Sequence, residues 1–228
     1  MGFRRLPTVV VLVVAVAVAF SMGYELRGQR TISTTTSTPV ETTLSPTDPS
    51  WTAVWPPASS SLRFTTPTAA ALDFATSVLG MTSPSPSAFQ QGDARSGEVP
   101  LIAVTHGPVT TVFVRQLTSD GTWWVLGSAC ATISIANPRA LERVASPLTV
   151  KGESTAFEGV VNYSLFQDDT EAPLASGTTM GGSNGVMGAF SAALHFAAPS
   201  HRFGTLMVYT RSAKDGSVLD ASVLRVEY

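Results

Sequence analysis

The sequence predicts a mainly β protein: a C-terminal seven-stranded sandwich, a small α+β unit before it with one helix on an antiparallel sheet, and an N-terminal transmembrane helix. Three observations carry this. From Thr132 onward, seven short strand-like runs are separated by turn signals, with no helical pattern among them. Upstream, one helix start at Thr66-Pro67 is followed by three further strand-like runs. At the far end, residues 6–24 are uncharged and dominated by Val and Ala.

The bulk properties exclude several classes. The 228 residues are 44% hydrophobic and only 13% charged, with a formal net charge of −2. A sizeable core is available, and no basic stripe exists to displace counterions, which argues against nucleic acid as a partner. The single cysteine, Cys130, excludes an internal disulfide and a zinc cage of several thiolates. It lies at a strand end among apolar residues and reads as a small buried hydrophobe.

Residues 1–30 form the membrane end. Arg4 and Arg5 precede the apolar run 6–24, which as a helix spans roughly 28 Å, close to a hydrocarbon core of about 30 Å. The length favours a signal-anchor helix. The alternative is a signal peptide cut after Ala17 or Ala19, where small-x-small patterns occur. The two arginines favour a cytoplasmic N-terminus, opposed by Arg27 and Arg30. Residues 31–62 read as a disordered stalk, rich in Thr, Ser and Pro and without apolar periodicity to offset its ordering entropy. The expectation is a single-pass cell-membrane protein with its C-terminal domains extracytoplasmic.

Residues 63–130 form the small unit. Pro67 suits the first helical position, Ala70, Leu72, Phe74, Ala75, Val78 and Leu79 supply an apolar surface, and Gly80 can end the helix. Residues 82–97 read as a Pro/Ser/Gly loop. Strands are expected over 99–105, 109–117 and 122–129, with a hairpin signal at Ser119-Asp120-Gly121. Of the adjacent Trp123 and Trp124, one is expected to plug the core beneath the helix and the other to be more exposed, since neighbours on a strand face opposite ways. So small a unit is marginal alone. No flexible linker separates it from residues 131–228, so the two are expected to form one rigid body.

Residues 131–228 hold the sandwich, with strands over 132–136, 148–153, 159–166, 174–179, 189–196, 204–211 and 217–227. Period-2 alternation places Phe190, Leu194, Phe196, Leu224 and Val226 on one apolar core and Ser191, His195 and Arg225 outward. Seven strands without a helix are the expectation for an immunoglobulin-like sandwich. Ser146-Pro147 forces an extended entry into the second strand. Phe157, in the turn Ala156-Phe157-Glu158-Gly159, is expected to plug the sandwich end, and Lys214-Asp215-Gly216 supplies a tight hairpin.

The motifs Ile133-Ser134-Ile135, Ser146-Pro147-Leu148-Thr149-Val150-Lys151-Gly152-Glu153, Ala156-Phe157-Glu158-Gly159 and Ser212-Ala213-Lys214-Asp215-Gly216-Ser217 together resemble the bacterial spore-germination immunoglobulin-like domain, which is associated with the GerMN domain of sporulation lipoproteins. The resemblance runs from about Ile133 to the C-terminus. It implies a β-sandwich in an envelope-attached protein and brings no catalytic residues. The segment from Gln91 through Trp123-Trp124 resembles a unit that precedes this sandwich in actinobacterial proteins.

No catalytic or metal-binding set assembles from the residues, and no cofactor is expected. Gly181-Gly182-Ser183-Asn184-Gly185 fits G-x-S-x-G, but that elbow needs a following helix, and residues 186–196 alternate as a strand. His106, His195 and His201 are scattered. Asp168, Asp169 and Glu171 lack EF-hand spacing and read as a solvated turn. The one charged cluster is Asp93, Arg95 and Glu98, joined by Arg115. It reads either as ion pairs fixing a loop or as an interaction surface. The favoured function is a non-catalytic, membrane-anchored extracytoplasmic binding or scaffolding protein, meeting another envelope protein or cell-wall polymer. A structural spacer or accessory subunit of an envelope or sporulation/germination complex is the alternative, and a hydrolase is remote.

Overall fold

The Thr66-Pro67 signal works as local chemistry dictates. In the computed structural model, which describes residues 49–228, helix α1 runs Pro67–Ser77. Thr66 is extended, and its hydroxyl accepts the Ala69 N–H at 3.2 Å, satisfying one of the orphan donors of the first turn. Beyond the helix, Gly80 takes φ +75° and turns the chain away. The strands that follow are β1 (Ser85–Pro86), β2 (Gln90–Asp93), β3 (Ser96–Ile102), β4 (Val109–Arg115), β5 (Trp124–Cys130), β6 (Ile133–Asn137), β7 (Leu148–Ala156), β8 (Val160–Gln167), β9 (Ala175–Met180), β10 (Gly182–Ser183), β11 (Gly188–Leu194), β12 (Phe203–Arg211) and β13 (Val218–Glu227). All seven expected sandwich strands form, and the two-residue β10 is added to them.

One long sheet has the order β1-β3-β4-β5-β13-β12-β8-β9. The facing layer is β6-β7-β11, with β10 parallel to β7 and the other pairs antiparallel. Strand β5 joins the layers, pairing Ser128 with Val223 of β13 and Cys130 with Ile133 of β6. The small unit therefore continues the sandwich sheet.

Packing gives the same result. Beneath α1, Phe74 and Leu79 meet Val99, Val112 and Val125, and also Met207, Tyr209, Ala221 and Val223 from the sandwich strands. On the opposite face of those strands, Leu206, Val208 and Val226 meet Val150, Val161, Leu165, Phe190 and Leu194. Strand β12 is buried at every position from Phe203 to Thr210, because side chains alternate between two cores. The described residues fall within one compact unit, as the missing linker predicts.

Four expectations are corrected. The stalk does not extend to residue 62. Ala53 and Val54 are buried, the amides of Val54 and Trp55 donate to the Val125 carbonyl at 2.8 and 3.2 Å, and Trp51 stacks on Phe203 at 4.7 Å. Apolar residues inside a Ser/Thr/Pro-rich stretch repay its ordering.

The stretch 82–97 is not all loop. Its second half is the β2–β3 hairpin, where Gly97 lacks a Cβ that would fall 2.4 Å from the Phe89 ring. That ring meets Trp123 edge-on at 5.5 Å.

The tryptophan pair divides unexpectedly. Trp123 packs with the helix-side core but is only partly buried, whereas Trp124 is 1% exposed on the other face, with the Arg63 guanidinium 4.8 Å over its ring.

Arg225 does not face water. Phe190, Leu194 and Val226 are buried, Phe196 and Leu224 pack at the core margin, and Ser191 and His195 are exposed as expected, but Arg225 is 4% exposed. Its outer side is covered by the ordered residues after Pro49: Nε donates to the Trp51 carbonyl at 2.9 Å, and the guanidinium forks onto Asp168 at 2.5 and 2.6 Å.

The candidate span 6–24 and the stalk up to residue 48 lie outside the described residues. Among the described residues, no helix is long and apolar enough to cross a membrane.

Candidate functional site

The chain arrives at Trp51, beside Phe203 at the start of β12. The other end of β12, at Thr210, is seven residues away, roughly 23 Å along a strand. At that far pole the sequence builds an unusual surface. Glu158 and Gly159 take φ +58° and +73° in succession and reverse β7 into β8. This reversal turns Phe157 outward, 68% exposed, and it does not plug the sandwich end. Val160 pairs with Met180, and Ser183 with Ala156, so the end of β9 and the β10–β11 hairpin stand beside it. They present Met180 and Val186 at 60% and 69% exposure, with Met187 and Val160 partly exposed. Side chains this apolar grouped at one exposed pole mark an interaction surface more often than a bare face.

The G-x-S-x-G stretch belongs to this surface. Gly182 and Ser183 form β10, Asn184 and Gly185 turn at φ +53° and +78°, and the Val186 amide closes on the Ser183 carbonyl at 3.0 Å. A Cβ on Gly182 would fall 2.0 Å from the Val186 carbonyl oxygen. The glycine is required for a tight strand-to-strand hairpin, and the helix a nucleophile elbow needs does not follow.

Between Phe157 and the ends of β12 and β13 lies an open cleft of about 350 Å³, lined among others by Pro108, Thr132, Asn184, Thr210 and Asp220. Asp220 is 1% exposed. The Thr210 hydroxyl donates to its Oδ1 and the Thr132 hydroxyl to its Oδ2. No cationic side chain among the described residues forms an ion pair with it. Next to it, Cys130 Sγ lies 3.3 Å from the Thr132 hydroxyl oxygen, and the Cys130 amide donates to Ser222 Oγ at 3.3 Å. Burial, and then the charge of Asp220, push the Cys130 thiol above its ordinary range, so it holds its proton and supplies no thiolate.

The charged residues singled out in the sequence lie on the small unit. Asp93 accepts the Arg95 amide at 2.7 Å, which with the Ser96 hydroxyl lowers its pKa, and Arg115 stands 3.9 Å from its other oxygen. Arg95 turns instead to the Thr118 carbonyl at 2.5 Å. Glu98 is exposed on β3 opposite Phe113. The side chains of Asp93 and Arg115 thus meet across the ends of β2, β3 and β4, and the Arg95 guanidinium and Glu98 do not join them.

Asp168 is taken by Arg225, while Asp169 accepts from Ser59 and lies 3.9 Å from His201 Nε2. Among the described residues, no three His, Cys, Asp or Glu side chains are grouped to hold a metal ion.

Sequence reasoning missed Asp220, Thr210, Met180 and Val186. The signal available was a carboxylate set inside the apolar strand run Val218-Leu219-Asp220-Ala221.

Residues 132–217 match the family model of the immunoglobulin-like domain of bacterial spore germination, the family whose motifs the sequence resembles. The match covers β6 to β12 and stops before β13, the strand that carries Asp220. No curated protein and no solved structure matches the chain.

Proposed function

We propose that this chain is a membrane-anchored extracytoplasmic binding or scaffolding protein of the bacterial cell envelope, which meets its partner with the pole formed by Phe157, Met180 and Val186. The observation that carries the reading is the position of that apolar surface. It stands at the pole opposite the one at which residues 49–55 dock, on a body whose two cores share β12 and β13. A chain tethered through its N-terminal segment would present this pole outward. The apolar run 6–24 and its flanking Arg4 and Arg5 support the tether, and the family match supports an envelope setting.

Two measurements test it. Protease added to intact protoplasts should remove residues 49–228, and full protection behind a sealed membrane refutes the topology. A photo-crosslinking amino acid at Val186 should yield a discrete protein adduct in intact cells, with none from the same group at Glu98. Equal yields from both positions, or none from Val186, refute the binding surface.

A further inference from the structure

We infer that the cleft over Asp220 seats a lysine or arginine side chain of a partner protein, its aliphatic stem against Phe157 and its charge directed at the carboxylate. The inference rests on the binding role proposed for this pole and specifies the chemistry of what docks there.

Three observations lead to it. A carboxylate offers about four acceptor positions, and Asp220 uses two, on Thr132 and Thr210. Its residue is 1% exposed, and a desolvated negative charge is costly unless a cation compensates it. Asp168, whose side chain is 27% exposed, has the Arg225 guanidinium at 2.5 Å, whereas the more deeply buried Asp220 has no cation among the described residues.

The rim decides which cation fits. Asp220 is the one carboxylate lining the cleft, whereas a calcium ion takes six to eight oxygen ligands. Pro108, Ala156, Phe157 and Leu219 supply apolar walls. Lysine and arginine bury their methylene stems along such walls while the charge reaches a polar end. Outside the cleft, Met180 and Val186 extend the apolar surface, which a free amine would leave uncovered and a protein would not. The site therefore fits a basic side chain flanked by apolar residues.

The test uses the full-length chain in detergent, labelled at the methionine methyl groups and titrated with acetyl-Leu-Lys-Leu amide. The expected result is a saturable shift of the Met180 and Met187 methyl signals. The glutamine analogue should bind roughly tenfold or more weakly, the size of a lost charge-assisted hydrogen bond, and Asp220→Asn should weaken the lysine peptide as much. Asparagine keeps the shape of the side chain, and unchanged signals from the other methionines report that the fold persists. Should that variant fail to fold, Phe157→Ser, at an exposed position, should still weaken binding severalfold by removing the wall for the stem.

No saturable shift, equal binding of the glutamine peptide, or equal binding to Asp220→Asn overturns the inference. A dimer in sedimentation that Asp220→Asn abolishes would assign the cation to a second copy and overturn the heterologous partner. Crosslinking from Val186 that persists unchanged in Asp220→Asn cells overturns the inference alone, whereas loss of crosslinking from the unsubstituted chain overturns the binding role itself.

Discussion

Phe74→Ala tests the shared core directly. Phe74 is fully buried in the cluster that joins α1 to β3–β5 and to Met207, Tyr209 and Val223 of β12 and β13. Truncating such a phenylalanine costs about 3–5 kcal/mol. In a body of this size each kcal/mol lowers Tm by about 2–4 °C, so a drop of roughly 6–20 °C is expected. The distinguishing feature is which part of the molecule melts.

Of the four tryptophans, Trp55 and Trp123 pack against the helix-side core, so the fluorescence of a chain in which Trp51 and Trp124 are replaced by phenylalanine reports that side. Backbone amide signals of β7 and β8 report the sandwich alone. Since β12 and β13 carry one core on each face, both probes should shift together and give one transition. A variant in which fluorescence melts early while the β7 and β8 amides hold their original midpoint would refute the shared-core account.

Other outcomes follow from the same geometry. Arg225→Met should destabilise by about 2–3 kcal/mol, at or below the low end of the roughly 3–5 kcal/mol for breaking a buried pair, because Asp168 is 27% exposed and regains water. Chemical denaturation measures it, and a neutral result would show that the Trp51 and Asp168 contacts contribute nothing. Asp120 accepts from the Thr118 hydroxyl and the Thr122 amide and hydroxyl, which depress its pKa to about 2. Its unfolded value is near 3.9, so its support for the β4–β5 turn is present above about pH 4 and is lost as pH falls through 2. Asp120→Asn should flatten the stability profile in that window, and an unchanged profile would remove Asp120 as its source. Residues 63–130 and 131–228 expressed separately should each fail to give the cooperative melting of the joined chain, and two halves that melt as they do together would contradict the common sheet.

What the sequence determined by itself is what neighbours along the chain decide. Thr66, Pro67 and Gly80 set the helix ends through one hydroxyl acceptor, one fixed φ and one left-handed turn. Asp215-Gly216 closes its hairpin with the Asp215 carboxylate accepting from Ser217. Alternation in β11 was enough to send Phe190 and Leu194 inward and His195 outward. These are contacts of a few residues' reach, and residue type alone carries them.

The tertiary structure decided which faces meet water, because that depends on what arrives from elsewhere in the chain. Arg225 sits on the side opposite Val226 and reads as solvated until Trp51, 174 residues earlier, covers it. Ser128 donates to the Ala221 carbonyl across 93 residues where β5 joins β13, and no local pattern encodes that pairing. The run Phe203-Gly204-Thr205-Leu206-Met207-Val208 is apolar on both sides in the sequence, which suits a strand between two cores as well as any buried segment. Asp220 shows in the sequence only as an acid in a strand. It becomes a cleft floor because Thr132 from the β5–β6 turn, Thr210 from β12 and Phe157 from the β7–β8 turn converge around it. Burial is a property of packed surfaces, and a period-2 pattern specifies which side a residue faces without specifying what covers that side.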